Sequence, residues 1–548
     1  MHRAWLPCLA LAMAASPLAC SWTSRDEAPE SASRPVLLDE LGSHHHAITT
    51  SSPEAQRYFD QGLALTYGFN HEAAIDAFRE ASRLDPGCAM CAWGEALALG
   101  PNLNAPMGPE AARQAYAAVQ RALRLSSGGS PAERDYIGAL ATRYGPELPD
   151  DRTPLDRAYV RAMREVPARN TEDTDAATLL AEALMDLMPW NYWTHDARPR
   201  PGTEEALGLL EWVLAREPEH LGANHFLIHA VEEFFPERAE AAADRLGTLA
   251  NDAGHLVHMP SHIYWRLGRY EDALEINRRA TAADEAFFAT CRAGAFYRAA
   301  YYPHNIHFLW AAAAAEGRSQ LALTTARKLA AKTASELGRF DFMSEFMVIP
   351  SLTLARFGRW DAILGEARPD TARPYLTGIW HYTRGLARLR TGGLDEAQRE
   401  LASLRASAAR PVSEALILVA GTSSARALLE IAASHLQGEL LAEQGRMDEA
   451  VAMLERAVRL QDDLIYNEPP PWYFPTRQAL GAVLLSAGRA ARAEAVYRED
   501  LARLPKNGWS LLGLAQSLEA QDKPAANARR SFEQAWARAD VELPASRF

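Results

Sequence analysis

Three histidines stand at spacings of three and four in Gly254-His255-Leu256-Val257-His258-Met259-Pro260-Ser261-His262-Ile263-Tyr264. On a helix, at about 100° per residue, they fall within one narrow arc. Two other segments repeat the pattern. His225 and His229 lie four apart, with Glu232 and its neighbour Glu233 one turn further on, and His304 and His307 lie three apart just after Pro303. Half of the chain's 16 histidines fall between His220 and His307. Neutral imidazole is the commonest protein ligand for zinc, copper and iron. A His-x-x-x-His pair on a helix offers two nitrogens to one ion, and a carboxylate one turn away can complete or orient the set. The metal-ligand candidates are therefore His225, His229, His255, His258, His262, His304 and His307. Glu232 and Glu233 are candidates for a ligand or a general base. Seven imidazoles exceed one tetrahedral site, so two metals, or one metal with catalytic histidines, both fit the count. Pro260 works against a single stripe, because a kink there moves His255 and His258 off the His262 face.

Sulfur offers a second chemistry. Cys88-Ala89-Met90-Cys91 is a redox motif, half a metal site or a disulfide, and Cys291 is a further ligand candidate. No βαβ pattern surrounds the pair, which favours the disulfide. His71, Trp190, Trp193, Tyr264 and Tyr302 are the candidates for lining a pocket. His44, His45 and His46 are consecutive, so their side chains point different ways. A solvated segment is expected, with folding over the groove as the functional alternative. No nucleophile elbow, phosphate loop, dinucleotide glycine motif or His-Glu-x-x-His helix is present.

The elements that must position these residues follow from an internal period. Gly62, Ala74, Phe78, Ala81 and Pro86 are separated by 12, 4, 3 and 5 residues. Gly438, Ala450, Leu454 and Ala457 repeat the first three intervals, and Gly481, Ala493, Tyr497 and Pro505 keep the same frame. These motifs resemble tetratricopeptide repeats, a family with a period of about 34 residues. The resemblance implies an all-α solenoid, a right-handed superhelix of helix pairs whose first helices line a concave groove. In that frame repeats start at Gly254 and Pro303, so His255, His258, His262, His304 and His307 take concave positions. His225, His229 and Glu232 take the first helix of the preceding repeat. Residues 189–202 and 281–302 interrupt the array as long aromatic loops, expected to be ordered lids. Asn467-Glu468-Pro469-Pro470-Pro471-Trp472-Tyr473 breaks the later array and is expected to add a rigid corner near the groove.

The chain has 548 residues, 48% of them hydrophobic, and a net charge of −13 with no basic block, which argues against a nucleic-acid partner, and none is expected. A small-molecule or peptide ligand in the groove is the expected partner. Arg3 and the apolar run Leu6 to Ala15 have the pattern of an export signal. Pro17-Leu18-Ala19-Cys20 resembles a bacterial lipobox, although Pro17 stands where leucine is usual. The expected organisation is a signal over 1–19, a flexible tether over 20–43, a histidine-rich array over 44–370 and a plainer array over 371–548. Lipid attachment at Cys20, in the periplasm or at the outer membrane, is the only membrane contact expected.

A longer set of motifs adds to this: Phe69-Asn70-His71, Cys88 through Gly94, Gly100 through Asn104, Pro189 through Trp193, Asn224 through Glu232, Gly254 through Tyr264, Tyr302 through Phe308, Glu468-Pro469-Pro470 and Asn507-Gly508-Trp509. Together they resemble a group of bacterial exported tetratricopeptide proteins. That resemblance implies the fold and the unity of one site, and supplies no reaction. The sequence thus yields two functional expectations. One is a histidine-rich site for a divalent transition metal (zinc, copper or iron), with metal-dependent oxidative or hydrolytic chemistry. The other is an envelope scaffold that binds a peptide or partner protein without metal. Converging, buried nitrogens would favour the first, and a long open groove the second.

Overall fold

Small residues at the repeat positions decide how closely the helices pair. In the computed structural model, Gly62 on the helix Pro53–Tyr67 lies against the Phe78 ring of the helix His71–Leu84. A Cβ at Gly62 would sit 2.7 Å from a ring carbon, so nothing larger than glycine fits. Gly94, on the next helix Ala89–Ala98, presses on the same ring. The motif recurs near the C-terminus, where Gly481 and Gly513 both face the Tyr497 ring. One large side chain thus locks a helix pair to the first helix of the next pair, as the repeat spacing predicts.

The structure describes residues 34–291, 294–418 and 421–548. Among them the only strands are Ile417–Leu418 and Ser423–Ser424, a single short antiparallel pair. Everything else regular is helix, and consecutive helices pack against each other. The fold is therefore the all-α tetratricopeptide array. Cys88 and Cys91 are joined in a disulfide at the start of Ala89–Ala98. The signal and the lipid-anchor candidate Cys20 lie outside the described residues.

Pro35–Phe548 forms one compact unit that spans the 370/371 boundary between the two arrays. Its C-terminal repeats fold back onto the histidine repeats. The Tyr270 hydroxyl donates to the Pro505 carbonyl at 3.0 Å, and the Trp509 indole donates to the Ala314 carbonyl at 3.2 Å. Asp540 accepts from the backbone N–H of Ser319 and Gln320.

Two expectations are corrected. Residues 35–43, expected as tether, lie on the scaffold: Leu41 is buried, the Leu38 N–H donates to Gln61, and the Tyr58 hydroxyl donates to the Pro35 carbonyl. Residues 281–302, expected as a loop, are largely helical. Tyr270–Thr290 runs on for six turns and Ala295–Ala299 follows, because Ala282, Ala283, Ala286 and Ala289 continue the helix with no breaker before Gly294.

Candidate metal centre

Four helices bring six histidines together. Leu221–Val231 carries His225 and His229, Gly254–His258 carries His255 and His258, Pro260–Arg266 carries His262, and Tyr301–Ala315 carries His304. His255 and His258, three residues apart on one helix, point about 60° apart into two nests, and His258 stays with His262 although Pro260 was expected to separate them. His225, His229 and His255 form one, and His258, His262 and His304 form the other. Within each, one nitrogen from every ring lies within 4.8 Å of the others. His225 and His258 are fully buried, while His229, His255 and His262 are nearly so.

Fixed hydrogen bonds decide which nitrogens are free. His225 Nδ1 lies 2.6 Å from the Tyr67 carbonyl oxygen, which can only accept. Nδ1 therefore holds the proton, and the buried Nε2 is left with a lone pair and no hydrogen-bond partner. His258 is pinned the same way. Its Nδ1 lies 2.6 Å from Asn277 Oδ1, and the Asn277 amide is oriented by donating from Nδ2 to the Ala273 carbonyl at 2.7 Å. The bare His258 Nε2 then faces His262 Nε2 at 3.1 Å. Both nitrogens of His229 and of His255 are buried without hydrogen-bond partners. Leaving a buried polar atom unpaired costs about 1–3 kcal/mol each, so this concentration is unlike an ordinary helical core.

Burial drives all six imidazoles toward the neutral form, and neighbouring imidazoles push most of them further. His225 and His304 are lowered to about 4, and His229, His255, His258 and His262 lie well below the usual value. At neutral pH the nests are uncharged nitrogen donors, the state that binds metal. Two carboxylates adjoin them. Glu232 lies 3.4 Å from His262 Nδ1 and 3.7 Å from His229 Nδ1, and Glu468 lies 3.1 Å from His262 Nδ1. Burial raises both acids, Glu468 to about 8, with Arg266 opposing the shift.

The remaining candidates divide clearly. His307 joins neither nest. Three residues beyond His304, it points about 60° round the helix and stacks on Trp310, with ring centroids 5.2 Å apart. Glu233 faces Arg266, not the histidines, and is raised to about 7 by burial. Cys291 lies beside Thr290, away from both nests. Tyr264 donates to Asp244, Tyr302 donates to Glu285, and Trp193 donates to the Ala230 carbonyl, so these three aromatics serve the scaffold. Trp190 does reach the centre. Its indole lies 5.0 Å from the His229 ring while 43% of the residue is exposed, making it the partition between the nest and solvent. A φ of 59°, uncommon for a large residue, holds it there. His71 lies behind Phe69, bonded to Asn102 and lowered to about 4 by burial.

Sequence reasoning gave no site role to Asn277, Glu468, Phe69, Phe308 or Asp175. Phe69, Phe308 and Glu468 did stand in the motifs that implied one site, and Glu468 also in the Asn467–Tyr473 corner expected near the groove. Asp175 organises a separate cluster. It accepts from Tyr67 at 2.5 Å, from His44 at 3.0 Å and from His46 at 2.8 Å, and it lies 3.2 Å from His220 Nε2. The expectation of a solvated triple histidine is thereby corrected: His44 and His46 are pinned on a buried acid, and only His45 is outside, paired with Asp60. Burial alone would raise Asp175 and lower His44 and His46. The mutual ion pairing overrides it, holding Asp175 well below and both histidines above their ordinary values. His220 Nδ1 accepts from the Ala223 N–H, so its Nε2 carries the proton and donates. Asp175 is thus a saturated clamp for the N-terminal segment, with its ligand atoms already spent.

The comparisons agree with this architecture. The tetratricopeptide repeat family model matches residues 429–506. The chain carries tetratricopeptide repeats. No curated protein matches it in sequence. Among solved structures it is similar to the human IFIT1 dimer with m7Gppp-AAAA, at 12% identity and a TM-score of 0.31, over 89% of this chain and 91% of that one. It is also similar to yeast Tom70, at 12% identity and a TM-score of 0.25, over 89% and 91% of the two chains. Likenesses this loose add nothing to the site.

The clamp gives a direct test. Asp175→Ala leaves buried donors and charges without a partner and is expected to cost about 3–5 kcal/mol, with Asp175→Asn costing less. Urea unfolding would measure both, and limited proteolysis should show residues 35–50 cut first. A neutral Asp175→Ala would mean that the clamp is not structural.

Proposed function

We propose that this tetratricopeptide protein binds transition metal (zinc, copper or iron) in its buried histidine chamber. The observation that carries the reading is the pinning of His225 and His258 through Nδ1, which turns bare Nε2 lone pairs inward among other unpartnered imidazole nitrogens. The bare His258 Nε2 and the His262 Nε2 that faces it at 3.1 Å need a proton or a cation between them. A metal ion satisfies every inward nitrogen at once. Oxygen partners on the far ring nitrogen are also what metal-bound histidines normally have. The residues present therefore fit a metal: His225, His229 and His255 would hold one ion, and His258, His262 and His304 another. A bound ion would supply Lewis-acid or redox chemistry. Glu232, between His229 and His262, is the ligand or general base, and Trp190 is the cover that separates the centre from water. Metal-dependent oxidation or hydrolysis of a small molecule or peptide is the activity to screen.

The repeat match at 429–506 favours a second role for the C-terminal array, the binding of a peptide or partner protein. Export belongs to the same reading. It is supported by the apolar run Leu6 to Ala15, by Cys20 after Pro17-Leu18-Ala19, and by the Cys88–Cys91 disulfide, a bond of oxidising compartments.

Elemental analysis of the purified full chain should find near-stoichiometric zinc, copper or iron, lost or halved in the double variant His258→Ala, His262→Ala. Asn277→Leu, which frees the His258 tautomer, should weaken metal binding about 10–100-fold without unfolding the protein. Absence of metal from the wild type, before and after reconstitution, would overturn the metal reading and leave the scaffold role. Fractionation of expressing cells tests the anchor: the wild type should pellet with membranes and Cys20→Ser should be released. Equal solubility of the two would refute lipidation.

A further inference from the structure

We propose that the two nests are two copies of one copper site, one per helical repeat, and that together they hold a pair of copper(I) ions. This deepens the metal-binding reading and rests on it.

The first support is repeat symmetry. His258 and His262 follow His225 and His229 by 33 residues each, one repeat period. In both nests a His-x-x-x-His pair is completed by a histidine from the first helix of the next repeat, His255 in one case and His304 in the other. The equivalent residues His225 and His258 are each pinned through Nδ1 by an oxygen at 2.6 Å. Each nest is also backed by one phenylalanine. Phe69 lies 4.6, 6.0 and 5.6 Å from His225, His229 and His255, and Phe308 lies 5.1, 4.8 and 5.4 Å from His258, His262 and His304. The pair spacing, the pinning through Nδ1 and a backing phenylalanine all recur, so one ion per nest follows from the construction. The nests also touch. The His255 and His258 rings are 5.9 Å apart and those of His229 and His262 are 6.2 Å apart, so the ions would be neighbours.

The second support is charge. Six neutral imidazoles bring no compensation for buried cations. The acids at the chamber are Glu232 and Glu468, and Arg266 lies 3.8 Å from Glu468. With at most two carboxylates and Arg266 beside one of them, two monovalent ions leave the smaller excess of buried positive charge. Two divalent ions would add two further positive charges between phenylalanine rings, which is costly in a low-dielectric interior. Among the ions that imidazole suits, copper is the one with a stable monovalent state.

The test is an anaerobic titration of the chelator-stripped full chain with copper(I), in competition with bicinchoninate, alongside a parallel titration with zinc. The expected result is two copper(I) ions per chain in the wild type. Each of the double variants His225→Ala, His229→Ala and His258→Ala, His262→Ala should retain one. The single variants His229→Gln and His262→Gln, checked for native helicity by circular dichroism, repeat the comparison with less disturbance. Zinc already bound should be displaced by equimolar copper(I). One ion in the wild type, loss of both ions from every folded variant, or zinc that resists displacement would overturn the copper pair while leaving metal binding intact. No binding of either metal would instead overturn the metal reading itself.

Discussion

The constraint on which the centre depends is the burial of imidazole lone pairs that point at one another. A helical core normally gives a histidine one oxygen partner per nitrogen. Here one nitrogen of His225 and of His258 is committed to a backbone or amide oxygen, and the other is turned toward more histidines. Desolvation keeps the rings neutral, so they cannot relieve the contact by carrying charge. The scaffold supplies the packing that tolerates this arrangement.

That packing comes from repetition. Glycines against Phe78 and Tyr497 set the approach of successive helix pairs, and the stacked pairs place equivalent positions of successive repeats side by side. The C-terminal repeats then fold back through Tyr270, Trp509 and Asp540, and this return delivers Glu468 to His262 from 206 residues away. The N-terminal segment is fastened independently, by His44 and His46 on Asp175. Tyr67 connects the two regions, since its hydroxyl donates to Asp175 while its carbonyl fixes His225.

Much of this was legible in the sequence. The helix pairs follow from the glycine, alanine and phenylalanine intervals. Four of the six chamber histidines, His255, His258, His262 and His304, could be placed by the concave frame, and His225, His229 and Glu232 by the repeat before it; His255 and His258 part company because three residues along one helix turn them about 60° apart. His307 misled because three-residue spacing looks like a shared face until Trp310 and Phe346 are seen to hold the ring. Glu233 sits next to Glu232 in sequence but about 100° away on the helix turn. Asp175 and Asn277 were invisible, because a single polar residue in an apolar helix carries no periodic signal and its partners are distant in sequence. The attachment of 35–43 through Leu41 was hidden by the segment's proline and polar residues, which suit a tether as well as an extended segment laid on helices.

The most direct test of the central claim is X-ray absorption at the edge of whatever metal the purified protein carries. Inward-facing imidazoles predict about three nitrogen neighbours per ion at about 2.0 Å, with the outer-shell scattering of histidine rings and no sulfur in the first shell. A first shell of sulfur, or of oxygen without imidazole scattering, would place the metal elsewhere and contradict the account.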